Sequence, residues 1–369
     1  MLVAFRADAS DHIGTGHVMR CLTLADELTR QEHRCKFICR KHQGHLGDLI
    51  ASKGYELTML PAPDAVEVES SDNWNNTYAD WLGVPWQQDA KETLEALAPI
   101  EADWLVVDHY ALDALWEQQV ARKAGRVMVI DDLADRQHEC ALLLDQNLGR
   151  GASDYDGLVP EDCLRLIGPE YALLRPEFAP RREFSLKRRE QPELKRILIS
   201  LGGVDRTNMT GQVLEALAET ALPGETQLDI IMGASAPYLD EVRQQAAQLS
   251  PMATVNVNVG DMAERMCLAD LSIGAAGGTS WERCCLGLPA VLVILADNQV
   301  PGARALEVAG AALTVTGPEA VQAALPSALA KIGEPGCLQR MSRAAAAITD
   351  GKGTAIVVES MVVVGRRTP

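Results

Sequence analysis

The chain has 369 residues, which exceeds the size of one ordinary hydrophobic core and favours two domains. Its composition, 47% hydrophobic and 23% charged without an apolar run of the roughly 20 residues that a membrane span needs, is typical of a globular protein that stays in water. The formal net charge of −17 excludes nucleic acid as a partner, because that binding depends on Lys and Arg side chains that neutralise phosphates.

Strand-like and helix-like segments alternate through the first half of the chain. Apolar runs bounded by turn residues predict strands at 2–8, 35–40, 104–110, 126–132 and 141–147. Helix-like stretches lie between these runs. The alternation predicts a parallel sheet with helices on both faces, as in a Rossmann-like unit.

Residues 175–196, rich in basic residues and proline, interrupt this pattern and predict a linker. Further strands are predicted at 196–203, 226–233, 253–260, 271–278 and 290–295, again with helices between them. We therefore predict an N-terminal Rossmann-like domain at 1–180 and a C-terminal one at 181–369. Tandem domains of this kind bind ligand in the cleft between them, at the carboxyl ends of the strands.

The segment GTGH, residues 14–17, is the first candidate site, because it joins the first strand to a helix. Gly14 and Gly16 allow a tight turn and a close approach of ligand to the backbone. His17 falls in the first helical turn, where the positive helix end disfavours imidazolium. A neutral His17 near pH 7 is what a general base requires. A turn whose histidine caps the chain locally is the alternative.

Polar residues at other strand ends are further candidates. Asp8 ends the first strand and Asp108 ends the strand at 104–110, where open α/β sheets bind ligands. Either carboxylate can orient a base or bind a sugar hydroxyl, and turn chemistry is the alternative. Segment 70–89 concentrates aromatic residues, Tyr78 among them, in a chain that is 4% aromatic. Such a loop either closes over a polar ring or packs on the surface.

The second half contains two glycine-rich turns between a strand and a helix. Gly202 and Gly203 precede Asp205; Gly277 and Gly278 precede Thr279, Ser280 and Glu282. Both turns are typical of anion binding at a helix N-terminus, and the second fits a diphosphate. Glu282 can accept hydrogen bonds from vicinal ribose hydroxyls, or can merely complement the helix dipole. Asn298 and Gln299, after the strand at 290–295, are offered to the same cleft.

No metal and no cofactor is expected. The donor types of Cys35, Cys39, His42 and His45 suit zinc, but two cysteines four residues apart on a strand lie about 13 Å apart. The first residues lack the features of a signal peptide, and several of the nine cysteines lie in apolar or helix-like runs. We therefore expect a reduced, cytoplasmic protein.

Six ordered motifs carry a resemblance to a known family. They are RADASDHIGTGHVMRCLTLADEL, VVDHYALD, VIDDLADRQHECALLLDQNL, GPEYALLRPEF, LISLGGVDRTNMT and AAGGTSWERCCLGLP. From about residue 2 to about residue 360 the chain resembles the UDP-2,4-diacetamido-2,4,6-trideoxy-β-L-altropyranose hydrolases of bacterial pseudaminic acid biosynthesis. The resemblance implies a GT-B-type α/β fold, related to the MurG-like glycosyltransferases, in which the parallel sheets of two Rossmann-like domains face each other across a cleft.

The resemblance also implies a small-molecule UDP-sugar substrate that is hydrolysed without metal. His17 corresponds to the catalytic histidine of the family, Tyr78 to its partner, and Glu282 and Asn298 to the pair that binds the uridine nucleotide. On this basis we expect His17 to take a proton from the water that attacks the anomeric carbon. Tyr78 and Asp8 are expected to position that water or the sugar. The chain departs from the family pattern at Val204 and Gly278, where backbone donors are kept.

Two other functions fit the same residues. A UDP-sugar-dependent GT-B glycosyltransferase would use His17 to deprotonate an acceptor hydroxyl in place of water. A nucleotide-sugar-binding protein without activity would need no base. The sequence shows no amphipathic segment of the kind that docks on lipid, so no membrane partner is expected. It leaves the oligomeric state open.

Overall fold

The computed structural model describes residues 1–63, 76–98, 100–249 and 253–366, apart from the side chains of residues 318 and 319. The chain divides into two compact units, Met1–Leu173 with Gly353–Pro369, and Leu174–Lys352. Each unit contains one sheet of parallel strands, with helices between most of the successive strands. The predicted α/β class with two Rossmann-like domains is confirmed.

The N-terminal unit is built on a seven-stranded sheet. Its strands are β1 (Leu2–Ala7), β2 (Arg34–Arg40), β3 (Glu56–Leu60), β4 (Ala102–Asp108), β5 (Ala124–Ile130), β6 (Leu142–Asp145) and β7 (Leu164–Ile167). Its helices include α1 (Gly16–Arg30), α2 (Gly47–Ser52), α3 (Trp86–Leu97) and α4 (Ala114–Val120), with 3₁₀ turns at Ala79–Leu82, Ala152–Tyr155 and Pro169–Tyr171. The strand order β3-β2-β1-β4-β5-β6-β7 reverses between β1 and β4.

Both faces of this sheet are covered by apolar side chains. Val3 and Phe5 of β1 belong to one cluster, in which Phe37 stacks on Phe5 with 4.8 Å between ring centroids. Ala4, which points to the opposite face, belongs to a second cluster with Trp116. Burial on both faces explains why the strands of this sheet are nearly continuous apolar runs.

The C-terminal unit is built on a six-stranded sheet. Its strands are β8 (Arg196–Ser200), β9 (Gln227–Met232), β10 (Ala253–Val257), β11 (Leu271–Ala275), β12 (Ala290–Ile294) and β13 (Ala312–Thr316). Its helices are α5 (Arg182–Arg188), α6 (Met209–Ala218), α7 (Leu239–Gln248), α8 (Met262–Leu268), α9 (Thr279–Cys285), α10 (Val300–Val308), α11 (Pro318–Ile332) and α12 (Cys337–Ala346), with 3₁₀ turns at Ala179–Arg181 and Asp297–Gln299. The strand order β10-β9-β8-β11-β12-β13 reverses between β8 and β11.

The last helix, α13 (Gly353–Gly365), groups with the N-terminal unit. Its residues Val357, Val358 and Met361 are fully buried in the apolar cluster beside β1. The division of the chain therefore differs from the predicted one, which assigned everything after residue 180 to the C-terminal domain. The segment AIVVESMVVV is apolar on nearly all sides, so its pattern does not indicate a surface helix of either domain.

The predicted linker at 175–196 instead packs against the C-terminal unit and includes α5. Arg182 donates to the carbonyl oxygen of Cys285 at 2.6 Å, and the buried Arg189 donates to that of Met266 at 2.9 Å. The last carbonyl groups of a helix have no partner within the helix, and guanidinium groups satisfy them. Two of the basic residues in this segment therefore cap the ends of α8 and α9.

Candidate active site

The point where the first sheet reverses brings two distant segments together. β1 leads through a short loop into α1, and β4, its neighbour in the sheet, ends at Asp108. His17 lies in the first turn of α1 and is 7% exposed. Its Nδ1 lies 2.6 Å from Oδ1 of the buried Asp108. Asp108, predicted either to orient a base or to bind the substrate, lies against the histidine.

Asp108 determines the tautomer of His17. Burial opposes the ionisation of Asp108, but the Arg20 guanidinium and the His17 imidazole outweigh it and hold the pKa of this carboxyl below its ordinary value. An ionised carboxylate only accepts hydrogen bonds, so a neutral His17 donates its Nδ1 proton to Asp108. The lone pair then lies on Nε2, the nitrogen that can take a proton from another molecule.

The loop before α1 contains two glycines, and only one of them has a backbone conformation that favours glycine. Gly14 has a left-handed φ of +82°, and its N–H donates to the carbonyl oxygen of Ser10 at 2.9 Å. Gly16 begins α1 with a negative φ and is exposed. A Cβ at either glycine would meet no atom within 4 Å. The loop therefore leaves open space beside both of its glycines.

Asp8 does not occupy the place predicted for it. It is fully buried, with Oδ1 2.7 Å from Nη1 of Arg6, and accepts a hydrogen bond from the Arg40 N–H at 2.6 Å. Burial disfavours its charge, yet Arg6 outweighs this and holds the pKa of Asp8 well below its usual value. Residues two apart on a strand share a face, which is why Arg6 pairs with Asp8. Asp108, and not Asp8, is the carboxylate in contact with His17, and Asp8 is instead paired with Arg6.

An aromatic cluster borders the histidine. The Tyr110 ring meets the His17 ring edge-on with 4.6 Å between centroids. The Tyr78 ring lies 5.1 Å from that of Tyr110 and 4.9 Å from that of Trp81. Tyr78 is therefore connected to His17 through the rings of Tyr110 and Trp81. Residues 70–75 of the predicted aromatic loop lie outside the described part of the chain.

In the C-terminal unit, both glycine-rich turns lie at the reversal of the sheet. Gly202 and Gly203 follow β8, and Gly277 and Gly278 follow its neighbour β11. A Cβ at any of these four glycines would meet no atom within 4 Å. Gly202 has a φ of +109°, which favours glycine. The two turns present open backbone at the carboxyl edge of this sheet.

Asp205 caps a helix. Its two carboxylate oxygens accept hydrogen bonds from the N–H groups of Met209 and Thr210, each at 2.8 Å, and Asn208 accepts one from Gly211 at 3.2 Å. These side chains accept hydrogen bonds from N–H groups at the start of the helix, where an anionic ligand was predicted to bind. Asp205, predicted to bind substrate, is thus the anion already bound at the start of α6.

Some hydrogen-bonding groups at the start of α9 already have partners within the chain. The Ser280 N–H donates to the Gly277 carbonyl oxygen at 2.9 Å, and Thr279 Oγ1 accepts from Arg283 Nη2 at 3.1 Å. The Ser280 side chain is buried, whereas Gly278 and Thr279 are exposed. Of the residues predicted to bind phosphate at this second turn, Gly278 and Thr279 are therefore the exposed ones.

Glu282 is held by an arginine that precedes α5. Its Oε1 accepts from Nε and Nη2 of Arg175 at 3.2 and 3.1 Å, whereas Oε2 has no hydrogen-bond partner among the described residues. Burial raises the pKa of Glu282, and Arg175 opposes that shift. The 3₁₀ turn after β12 carries the remaining two predicted residues. Gln299 accepts from the Leu295 N–H at 3.0 Å, and Asn298 is exposed.

Comparison with known proteins identifies the family. The model of the glycosyltransferase family 28 C-terminal domain matches residues 197–355. The structure of Acinetobacter baumannii MurG superposes with a TM-score of 0.65 at 17% identity, covering 98% of this chain and 99% of that one. UDP-N-acetylglucosamine--N-acetylmuramyl-(pentapeptide) pyrophosphoryl-undecaprenol N-acetylglucosamine transferase of Phocaeicola vulgatus is 30% identical over 343 residues, which are 89% of this chain and 88% of that protein. The chain belongs to the MurG-like family of GT-B proteins.

This MurG-like chain is also similar to a hydrolase. The UDP-2,4-diacetamido-2,4,6-trideoxy-beta-L-altropyranose hydrolase of Campylobacter jejuni subsp. jejuni serotype O:2 is 27% identical over 246 residues, which cover 67% of this chain and 74% of that protein. The relatives of the MurG-like chain therefore include both a transferase and a hydrolase.

Several polar residues at these sites of the MurG-like chain were not predicted from the sequence. Arg20 contacts Asp108, and Tyr110 donates to Asp132 at 2.8 Å. Arg175 lies in the segment that was interpreted as a linker. One signal was available: Arg20 is three residues after His17, so it faces the same side of α1.

Within the described residues, no helix has the length and apolarity to cross a bilayer. The same part of the chain contains no group of three or more His, Cys, Asp or Glu side chains that could hold a metal ion.

Proposed function

We propose that this MurG-like protein transfers the sugar of a UDP-sugar to a hydroxyl nucleophile, with His17 as the general base. The contact of 2.6 Å between His17 Nδ1 and the buried Asp108 carries the proposal. In the neutral imidazole this contact favours the Nδ1–H tautomer with its lone pair on Nε2, which suits removal of a proton from a hydroxyl as that oxygen attacks the anomeric carbon. Tyr78, in the adjoining aromatic cluster, is proposed to orient the sugar or the nucleophile.

The C-terminal unit is proposed to bind the UDP group. The family match over 197–355 and the UDP-sugar named for both relatives support this assignment. In the proposal, Glu282 accepts hydrogen bonds from the ribose hydroxyls through Oε2 while Arg175 holds Oε1. Asn298 contacts the uridine. Backbone N–H groups at the turns of Gly202 and Gly278 stabilise the charge that grows on the leaving diphosphate.

A glycosyltransferase reaction is the first form of this proposal. The glycosyltransferase family 28 match and the relative from P. vulgatus, which aligns over most of both chains, favour it. His17 would then deprotonate the acceptor hydroxyl, and the C–O bond between the anomeric carbon and the diphosphate would break. The products are UDP and a glycosylated acceptor.

Hydrolysis is a second candidate, favoured by the similarity to the C. jejuni enzyme. Water would replace the acceptor, and the products would be UDP and a free sugar. If the substrate is the UDP-diacetamido-trideoxy-altrose named for that relative, the free sugar would serve pseudaminic acid biosynthesis. Because the base and the leaving group are the same in both reactions, the fold cannot separate them.

The deciding experiment incubates the full chain with each relative's UDP-sugar in ¹⁸O-water with EDTA, with and without the lipid acceptor named for the P. vulgatus transferase. Release of UDP that requires the acceptor supports transfer. Release without acceptor, with the label in the sugar, supports hydrolysis by C–O cleavage. Label in UDP or UMP means attack at phosphorus and contradicts both forms. Binding of these UDP-sugars without release of UDP also contradicts them.

A further inference from the structure

Arg20 lies one helical turn after His17 and donates two hydrogen bonds to the carboxylate of Asp108, which orients His17. Its Nε and Nη2 donate to Oδ2 and Oδ1 of Asp108 at 2.6 and 2.7 Å. Its Nη2 lies 3.4 Å from His17 Nδ1, and its Nη1 lies 2.7 Å from Oδ2 of Asp132. Asp108 Oδ1 therefore faces both the imidazole and the guanidinium.

The two charges beside His17 act on its protonation in opposite directions. A carboxylate next to an imidazole favours imidazolium, and a guanidinium disfavours it. Because Asp108 is fully buried, these interactions are weakly screened by water. With Asp108 alone, His17 would bind a proton more tightly and would be less available as a base near pH 7. Arg20 offsets the carboxylate without removing its capacity to accept the Nδ1 proton.

Other ionisable groups face this cluster from the neighbouring elements. They are Cys21 of α1, Asp8 after β1, His109 and Tyr110 after β4, and His12 and Tyr78, which reach it through the Trp81 ring. Burial raises the pKa of the Cys21 thiol and of the Tyr110 hydroxyl well above their ordinary values. Burial lowers the pKa of His109, and the charge of Asp8 is paired with Arg6. The charge balance at His17 therefore rests on Arg20, Asp108 and Asp132.

We propose that Arg20 is a positioning residue that keeps His17 neutral and in its Nδ1–H form near pH 7, by holding both oxygens of Asp108 and offsetting their charge. The inference rests on the proposed role of His17 as the base and adds the residue that controls the protonation state and tautomer of His17.

The test is an NMR titration of the full chain labelled with ¹⁵N-histidine, from about pH 5 to 9, with the His17 signals assigned by their loss in His17→Gln. We expect Nδ1–H His17 in the wild type and a rise of its pKa by about one unit in Arg20→Gln. Arg30→Gln is the matched control, because it removes an arginine of the same helix whose side chain is 67% exposed and paired with Glu27. It should leave the His17 titration unchanged.

Two more variants separate charge from structure. Asp132→Asn removes a negative charge beside Arg20 and should lower the pKa of His17, the opposite direction. Arg20→Lys keeps the positive charge, so the His17 pKa should stay within about half a unit of wild type. Because lysine cannot form both hydrogen bonds to Asp108, turnover should fall. The acidic limb of the pH–rate profile should move upward in Arg20→Gln by the shift that NMR measures.

An unchanged His17 pKa in a folded Arg20→Gln variant overturns the inference. If that variant does not fold, the absence of a downward shift in Asp132→Asn overturns it equally. The titration does not depend on turnover. Full activity of His17→Asn would therefore refute the proposed function while leaving the NMR result valid, so the two failures are distinguishable.

Discussion

His17 is the residue on which activity is expected to depend most. Replacement by Asn removes the basic nitrogen while keeping a polar side chain of similar size. We expect kcat for UDP release to fall about 100-fold or more, with the affinity for UDP unchanged in calorimetry. His33→Asn, a half-buried histidine near the N-terminus of the same unit, is the control and should keep its activity. Turnover of His17→Asn near the wild-type rate would contradict the base assignment.

Glu282 is expected to select the nucleotide. In Glu282→Gln the charge is lost, and the Arg175 guanidinium keeps only a neutral partner. UDP binding should weaken about tenfold, with the preference for UDP over 2′-deoxy-UDP reduced. Glu264→Gln, an exposed residue of α8, serves as the comparison. If Glu282→Gln kept the full preference for UDP over 2′-deoxy-UDP, another group would be the one that recognises the ribose 2′-hydroxyl.

Single residues were predictable where local geometry determined their surroundings. His17 was predicted from two glycines and the start of a helix, all of which lie within a few residues of it in the sequence. Asp205 and Arg175 were not predictable in this way. The capping role of Asp205 depends on the left-handed φ of +41° that it adopts, and the partner of Arg175 lies on a helix far along the chain.

At the scale of elements, the cap of α6 contributes to stability. Asp205→Ala removes the acceptor of two helix N–H groups, so the free energy of unfolding should fall by about 1–2 kcal/mol. Denaturant unfolding measures this loss. Asp240→Ala, in the exposed first turn of α7, is expected to have little effect. If Asp205→Ala abolished UDP binding without changing stability, the ligand role first expected of Asp205 would be restored.

The strands that the sequence analysis missed are β3, β7 and β13. All three are edge strands of their sheets. An edge strand has one strand neighbour, and its side chains here are only partly buried, as in ELTML and ALTVT. Their sequences therefore lack the continuous apolar run that made the central strands predictable.

At the scale of the whole molecule, one buried carboxyl should make stability depend on pH. The Tyr155 hydroxyl lies 2.9 Å from Oδ2 of Asp131 and 2.9 Å from Oδ2 of Asp145. One hydroxyl proton serves one acceptor, so the second contact needs a proton on a carboxyl. Burial, followed by the negative charge of Asp132, raises the pKa of Asp145 to about 7.

The pKa of Asp145 lies above the value of about 3.9 expected in the unfolded chain. The folded state therefore holds a proton that the unfolded state has released, and the resulting stabilisation is fully present below about pH 4 and lost as pH rises through about 7. Asp145→Asn should flatten this fall in the free energy of unfolding. Asp156→Asn, an exposed residue of the same unit, should not. A fall of wild-type size in Asp145→Asn would show that another group titrates.

The sequence by itself determined the α/β class, the two Rossmann-like domains and the position of the histidine at a strand-to-helix turn, because these features arise from periodicity and turn chemistry over short stretches. Only the tertiary structure decided which carboxylate meets His17. Asp8 and Asp108 both end apolar strands, and the choice follows from β1 lying beside β4 and from Arg6 pairing with Asp8. It also decided that α13 belongs to the N-terminal unit. The pairing of distant strands and the pairing of buried charges are non-local interactions, which no local pattern encodes.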